Sequence, residues 1–237
     1  MNLFDKSVIQ FFIKISQNSP LLNSLMELIV ENALIKGGAV VSILWFLWFR
    51  KNDKLNLNRE RIIISVISCI VAIFIGRLLT RVLPFRLRPL VDPSLAQFYH
   101  DESMADSLDM TSSLPSDHAV MFFALSTGIF LISRKLGIFS YLHALIVICL
   151  PRMYLGLHYP TDILIGAAVG ILTSLVLASS KMWYPVTSKA LQFSFKYSGL
   201  FYVFFFLISL EISTLFDSLR LIVHFLFGGL YDSLLRQ

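Results

Sequence analysis

Six long apolar runs alternate with polar connections along this chain, at about 33–49, 62–79, 119–133, 138–150, 163–179 and 199–216. Few folds tolerate that pattern. A helix crossing the hydrocarbon of a bilayer takes about 20 apolar residues and satisfies its backbone polar groups internally. A soluble globule of 237 residues, 56% hydrophobic, 15% charged and with 21 Phe, would aggregate. The expected fold is therefore all-α. It is a polytopic membrane helix bundle of about six transmembrane helices, forming one integral-membrane domain over 1–237.

The flanks read differently. Residues 1–20 mix Leu3, Phe4, Val8, Ile9, Phe11, Phe12 and Ile15 with Asp5, Lys6 and Lys14, the pattern of an amphipathic helix lying in the interface. The tail, 217–237, is expected to be a second interfacial or partly inserted helix. Trp45 and Trp48 suit an interfacial aromatic belt. The longest polar segment, 84–115, carries Asp92, Asp101, Glu102, Asp106 and Asp109, most simply a solvated loop face. Cys69 and Cys149 lie inside apolar runs and announce neither a disulfide framework nor a zinc site. No cleavable signal peptide is expected at a start bearing Asp5, Lys6 and Lys14.

Charge orients the bundle. Arg50, Lys51, Lys54, Arg59, Arg61, Arg134, Lys135, Lys181, Lys189 and Lys196 fall in connections on one side, which the excess of Lys and Arg marks as cytoplasmic. The net charge of +5 is explained this way and predicts no nucleic-acid partner. The remaining polar clusters then share the outer face.

Three clusters carry the chemistry. The first is Arg81, six residues, then Arg88-Pro89. The second is Pro115-Ser116-Asp117-His118. The third is Arg152, five residues, His158, three residues, Asp162. Charges beside hydrocarbon are costly and mark function. Guanidinium groups offer a planar fork of donors that fits phosphate oxygens and stays charged. Arg81, Arg88 and Arg152 are thus candidate phosphate ligands. Ser116 supplies a hydroxyl, and a helix starting near Asp117 would offer backbone N–H groups to the same anion. Two imidazoles suit a double displacement. His158 attacks phosphorus; His118 protonates the leaving oxygen and then activates water. Asp162, four residues beyond His158, would share a helical face with it and orient its ring. No metal or other cofactor is required.

These motifs, in this order and spacing, resemble the three signatures of the type-2 phosphatidic acid phosphatase superfamily. The resemblance runs from about Arg81 to Asp162. It implies a six-helix membrane bundle and metal-independent dephosphorylation of a lipid phosphate or diphosphate through a phosphohistidine. It implies the same roles for His158, His118 and Asp162, with Arg81, Arg88, Arg152 and Ser116 on the phosphate. Departures are Arg81 where Lys is usual, Asp117 where Gly is usual, and Pro151 where Ser is usual. Asp117-His118 together with Gly156-Leu157-His158-Tyr159-Pro160-Thr161-Asp162 looks like the bacterial undecaprenyl-diphosphatase branch. That branch implies a place in the inner membrane with the site facing outward.

Other functions fit the same residues. A broad phosphatase of phosphatidic acid, phosphatidylglycerol phosphate or lipid A shares the constellation, as does a lipid phosphotransferase. A phosphate transporter would need polar groups midway along several spans, where this chain has almost none. Arg77 and Arg86 read as anchors at a helix end, and His100, His143 and His224 as packing residues. Gly166 and Gly170, four apart, allow close helix contact within the chain.

Overall fold

The computed structural model describes residues 2–51, 53–99, 112–219, 221, 222 and 225. Acidic residues Asp101, Glu102, Asp106 and Asp109 and most of the tail from 217 to 237 lie outside them, as do His100 and His224. Every regular element among the described residues is helical. They are α1 (Leu3–Ser16), α2 (Pro20–Glu31), α3 (Leu34–Phe49), α4 (Leu55–Val82), α5 (Asp117–Ile132), α6 (Arg134–Tyr154), α7 (Pro160–Ser179), α8 (Tyr184–Lys196) and α9 (Ser198–Ser213).

By length and composition, α4, α6 and α7 can each cross a membrane. The pair α2–α3 adds a fourth candidate, bent by 68°. Helices α5 and α9 are apolar but shorter, at 16 residues each. The chain is a multi-pass helical membrane protein; among the described residues it has three or four candidate spans, where six were expected. At about 1.5 Å per residue, α4 is roughly 42 Å long, more than hydrocarbon requires.

The bend between α2 and α3 has a local cause. Asn32 is extended, and its side-chain oxygen accepts the Ile35 N–H at 3.0 Å, so it caps the second helix instead of continuing the first. Within α6, Pro151 has no N–H to donate. A wider π turn at Ala144–Cys149 precedes it and lets the chain continue to Arg152.

Contacts fix the directions. Arg61 near the start of α4 donates to the Leu131 carbonyl near the end of α5, while Arg77 near the end of α4 pairs with Asp117 at the start of α5. These two helices are antiparallel. Thr127 and Tyr141 bond across α5 and α6 at 2.7 Å, and Arg152 reaches back to His118, so this pair is antiparallel too. Helix α7 runs parallel to α5, backbone against backbone at its two glycines. A Cβ on Gly166 would meet the Ser116 carbonyl at 2.7 Å, and one on Gly170 the Val120 carbonyl at 2.2 Å. Gly170→Val should therefore overpack the seam by about 1–3 kcal/mol. It should lower the melting midpoint in detergent by roughly 5 °C or more. An unchanged midpoint would show that the helices part freely.

Trp48 corrects the expected aromatic belt. It is fully buried, its indole N–H donates to the Tyr202 hydroxyl at 3.1 Å, and its ring stacks on Phe201. Trp45, half-buried, donates to Ser209 at 3.0 Å. An indole in a low-dielectric core needs a partner for its N–H. Tyr202 and Ser209 on α9 supply those partners, so these tryptophans join α3 to α9. Residues 181–196, expected as a polar connection, instead form a 3₁₀ turn and helix α8.

Helix α1 is helical as expected and amphipathic, but its buried face is docked on protein. Ile9 and Ile13 pack with Leu95 and Tyr159, while Leu3, Phe4 and Phe11 stay exposed. The end of α4, the start of α5, the end of α6 and the start of α7 lie together at one end of the bundle. Arg50, Lys51, Lys54, Arg59, Arg61, Arg134, Lys135 and Lys181 lie at the other.

Candidate active site

The third cluster is shaped by a turn. After α6, Leu157 and His158 both donate their N–H to the Arg152 carbonyl, at 2.9 and 3.3 Å. This reversal needs Gly156, whose φ is +70° and whose absent Cβ would lie 2.6 Å from the Tyr99 ring. The first cluster is zipped to this turn: Leu90 donates to the Gly156 carbonyl at 2.9 Å, and Arg88 Nη1 to the Leu157 carbonyl at 3.1 Å. Arg88 Nη1 also stands 3.4 Å from His158 Nε2. The second cluster enters through Ser116, whose N–H donates to the Asp162 carbonyl at 3.2 Å and which precedes the first turn of α5.

Four of the expected groups thus meet in two pairs, His158 with Arg88 and Arg152 with His118, and the backbone of the 152–158 turn joins the pairs. Arg152 is buried, donating Nη1 to the Ile148 carbonyl at 3.2 Å and Nη2 to His118 Nε2 at 2.5 Å. Guanidinium only donates, so His118 Nε2 accepts here. His158 is buried, and its Nδ1 lies 2.9 Å from the Ser113 carbonyl. A carbonyl only accepts, so Nδ1 carries the proton and Nε2 keeps its lone pair toward Arg88. The Ser116 hydroxyl is buried with no hydrogen-bond partner among the described residues.

Three expectations change in detail. His158 and Asp162 do not share a helical face, because α7 begins at Pro160 and His158 precedes it. Asp162 Oδ2 instead accepts the Tyr159 N–H at 2.8 Å and lies 3.8 Å from His158 Nδ1. The ring's near partner is Ser113. The Asp117 side chain pairs with Arg77 at 2.6 Å, and its backbone opens α5. Arg81 is exposed and lines a groove of about 490 Å³ with Phe74, Leu78 and Phe85. Its side chain has no hydrogen bond or ion pair to another described residue.

Sequence reasoning missed two things. Arg86 is no lipid anchor: it pairs with Asp162 at 2.7 Å and Asp5 at 2.5 Å, and its guanidinium lies over the Tyr159 ring at 3.9 Å. Its place two residues before Arg88 was the available signal. The Ser113 carbonyl carries no side-chain signal at all.

Burial, helped by Arg88 and Arg152, holds His158 below the ordinary imidazole value of 6.5, against the opposing pull of Asp162. The ring is therefore neutral at pH 7. The unfolded chain takes up its proton near 6.5, so the stability this group confers is present above that pH. It is lost as pH falls through the lower folded value. A reaction that needs the neutral ring should fall on the acid side below about pH 6.5. An acid limb centred above pH 7 would contradict the assignment.

A helical membrane bundle with two imidazoles, two buried or half-buried guanidiniums and a serine hydroxyl at one end defines a phosphate-handling membrane protein. The family model of the PAP2 superfamily matches residues 61–186, more than half the chain, and the chain belongs to that superfamily. It is 27% identical over 176 residues to the putative undecaprenyl-diphosphatase YbjG of Escherichia coli (strain K12), covering 74% of this chain and 80% of that one. It is 28% identical over 162 residues to the undecaprenyl-diphosphatase BcrC of Bacillus subtilis (strain 168), covering 67% and 74%. The bacitracin transport permease protein BcrC of Bacillus licheniformis is 29% identical over 132 residues, 54% of this chain and 58% of that relative's length. No solved structure matches the chain.

Proposed function

We propose that this PAP2-superfamily lipid phosphatase removes the terminal phosphate of undecaprenyl diphosphate through a phosphohistidine. The observation that carries the reading is the approach of His158 Nε2 to Arg88, with Arg152 joining the same turn to His118. The names of the YbjG and Bacillus subtilis relatives support the diphosphate as substrate.

In this reading Arg88, Arg152 and the Ser116 hydroxyl hold the terminal phosphoryl oxygens, with the first N–H groups of α5, at Asp117, behind them. The lone pair of His158 Nε2 forms a bond to the terminal phosphorus. The bond from phosphorus to the bridging oxygen breaks, and that oxygen leaves on the lipid monophosphate. His118 gives it a proton. For that, the phosphate must first draw the Arg152 N–H away from His118 Nε2, and the freed nitrogen must take up a proton from solvent. In the second half His118 takes a proton from water, the water oxygen bonds to phosphorus, and the N–P bond breaks. Inorganic phosphate departs and His158 regains its lone pair. Asp162 lies close enough to favour the developing imidazolium.

The isoprenoid tail is placed in the groove of Phe74, Leu78 and Phe85, where Arg81 meets the diphosphate. Six crossings follow if α2–α3, α4, α5, α6, α7 and α9 each span. The cluster end then faces outward from the bacterial inner membrane, because the basic connections occupy the opposite end. Charged residues are absent from the middles of α4, α5 and α7, which counts against a permeation path. The test is phosphate release by the purified protein from undecaprenyl diphosphate, phosphatidic acid, phosphatidylglycerol phosphate and lipid A. Preference for the diphosphate by about tenfold or more in kcat/KM is expected. Equal rates on the phosphomonoesters would replace this substrate, and no release from any of them would end the phosphatase reading.

A further inference from the structure

We propose that Asp5, on the N-terminal helix, is a positioning residue that holds the His158–Asp162 segment through Arg86. The inference rests on the reading of His158 as nucleophile.

Asp5 is wholly buried. Its Oδ1 accepts the Thr161 backbone N–H at 3.0 Å. Its Oδ2 accepts the Thr161 hydroxyl at 2.8 Å and Arg86 Nη2 at 2.5 Å. The same guanidinium gives its other nitrogen to Asp162 Oδ1 and to the Thr161 hydroxyl oxygen, both at 2.7 Å. The Tyr159 ring lies under its plane. Helix α7 thus begins with its free N–H groups held by two carboxylates. One is its own Asp162, on Tyr159; the other comes from 156 residues away in the chain.

Two physical points argue for more than scaffolding. Burying a carboxylate between an arginine and a helix end is a poor way to gain stability, since apolar side chains of the same volume do as well. The network also abuts the catalytic segment. One arginine between two carboxylates gives a net charge of −1 behind His158. Ahead of the ring stand Arg88 and, beyond it, Arg152 with His118; Ser113 holds Nδ1. Neutralising Asp5 leaves Arg86 to Asp162 alone and removes that net charge. The helix that a membrane interface alone would explain is thereby tied to the reacting imidazole.

Asp5→Asn is the test, in full-length protein in detergent, with undecaprenyl diphosphate as probe and wild type and His158→Ala in parallel. A roughly 10- to 100-fold lower kcat is expected, with KM within about threefold. The acid limb should move to lower pH, because the lost negative charge makes His158 less basic. Asp5→Glu should restore most of kcat. In an Asp162→Asn background, Asp5→Asn should add less than about a twofold loss, since both act through one network. A kcat within twofold of wild type would overturn the inference. So would a loss equal at every pH that multiplies with Asp162→Asn, the mark of a structural role only. Should Asp5→Asn fail to fold, Thr161→Val keeps every charge and removes two of the bonds. A threefold to tenfold drop in kcat with an unmoved acid limb is then expected, and an unchanged kcat overturns the inference. An inactive wild type would instead defeat the phosphatase reading itself, which separates the two failures.

Discussion

His158→Ala will abolish phosphate release, by at least about 10⁴-fold, while the protein still folds and elutes as wild type does in detergent. The magnitude follows from the role: losing a nucleophile removes the covalent route, and what persists comes from the remaining binding groups alone. The fold should survive because the ring contributes little to it. Its polar side-chain contacts among the described residues are the Ser113 carbonyl, Arg88 and the distant edge of Asp162, and the turn is held by backbone bonds to Arg152 and by Gly156. A buried imidazole replaced by a methyl group leaves a void with one orphaned carbonyl, at a cost of about 1–3 kcal/mol. Activity within tenfold of wild type in this variant would remove the nucleophile from the scheme.

The second large effect is expected at Arg152. Arg152→Lys keeps the charge yet should lower kcat/KM by about 10²–10³-fold. The planar fork currently spans the Ile148 carbonyl and His118 Nε2, two acceptors on different helices. A lysine ammonium is a single point at the end of a flexible stem and cannot hold both directions while also meeting a phosphate. His118 would lose its fixed orientation and the phosphoryl group one of its two-point contacts. Steady-state kinetics on the same lipid decides the matter. A loss below about threefold would mean that charge alone suffices and that the fork geometry has no part.

The helical membrane class was legible in the sequence because long apolar runs have one solution in a bilayer. The clusters were legible because each packs several polar residues within eleven positions, and the turn at Gly156 converts that local spacing into contact between Arg152 and His158. What was not legible was long-range. Nothing near Asp5 tells of Thr161 and Arg86, and an amphipathic pattern looks the same whether it lies on lipid or on protein. The tryptophans of α3 misled for a similar reason: Trp at a span end is common at interfaces, yet Tyr202 and Ser209 on α9 satisfy both indoles inside the bundle. The helical-face pairing of His158 with Asp162 failed because Pro160 opens α7, which leaves His158 outside it.

The most direct test follows the phosphorus itself. Wild-type protein is mixed with undecaprenyl diphosphate labelled in its terminal phosphate and quenched in alkali within milliseconds, because phosphoramidate bonds survive base and not acid. The peptide carrying the label is then mapped. Label on residue 158, absent in His158→Ala, is the predicted result. Phosphate released with no labelled protein at any quench time, or label on His118 instead, would contradict the account.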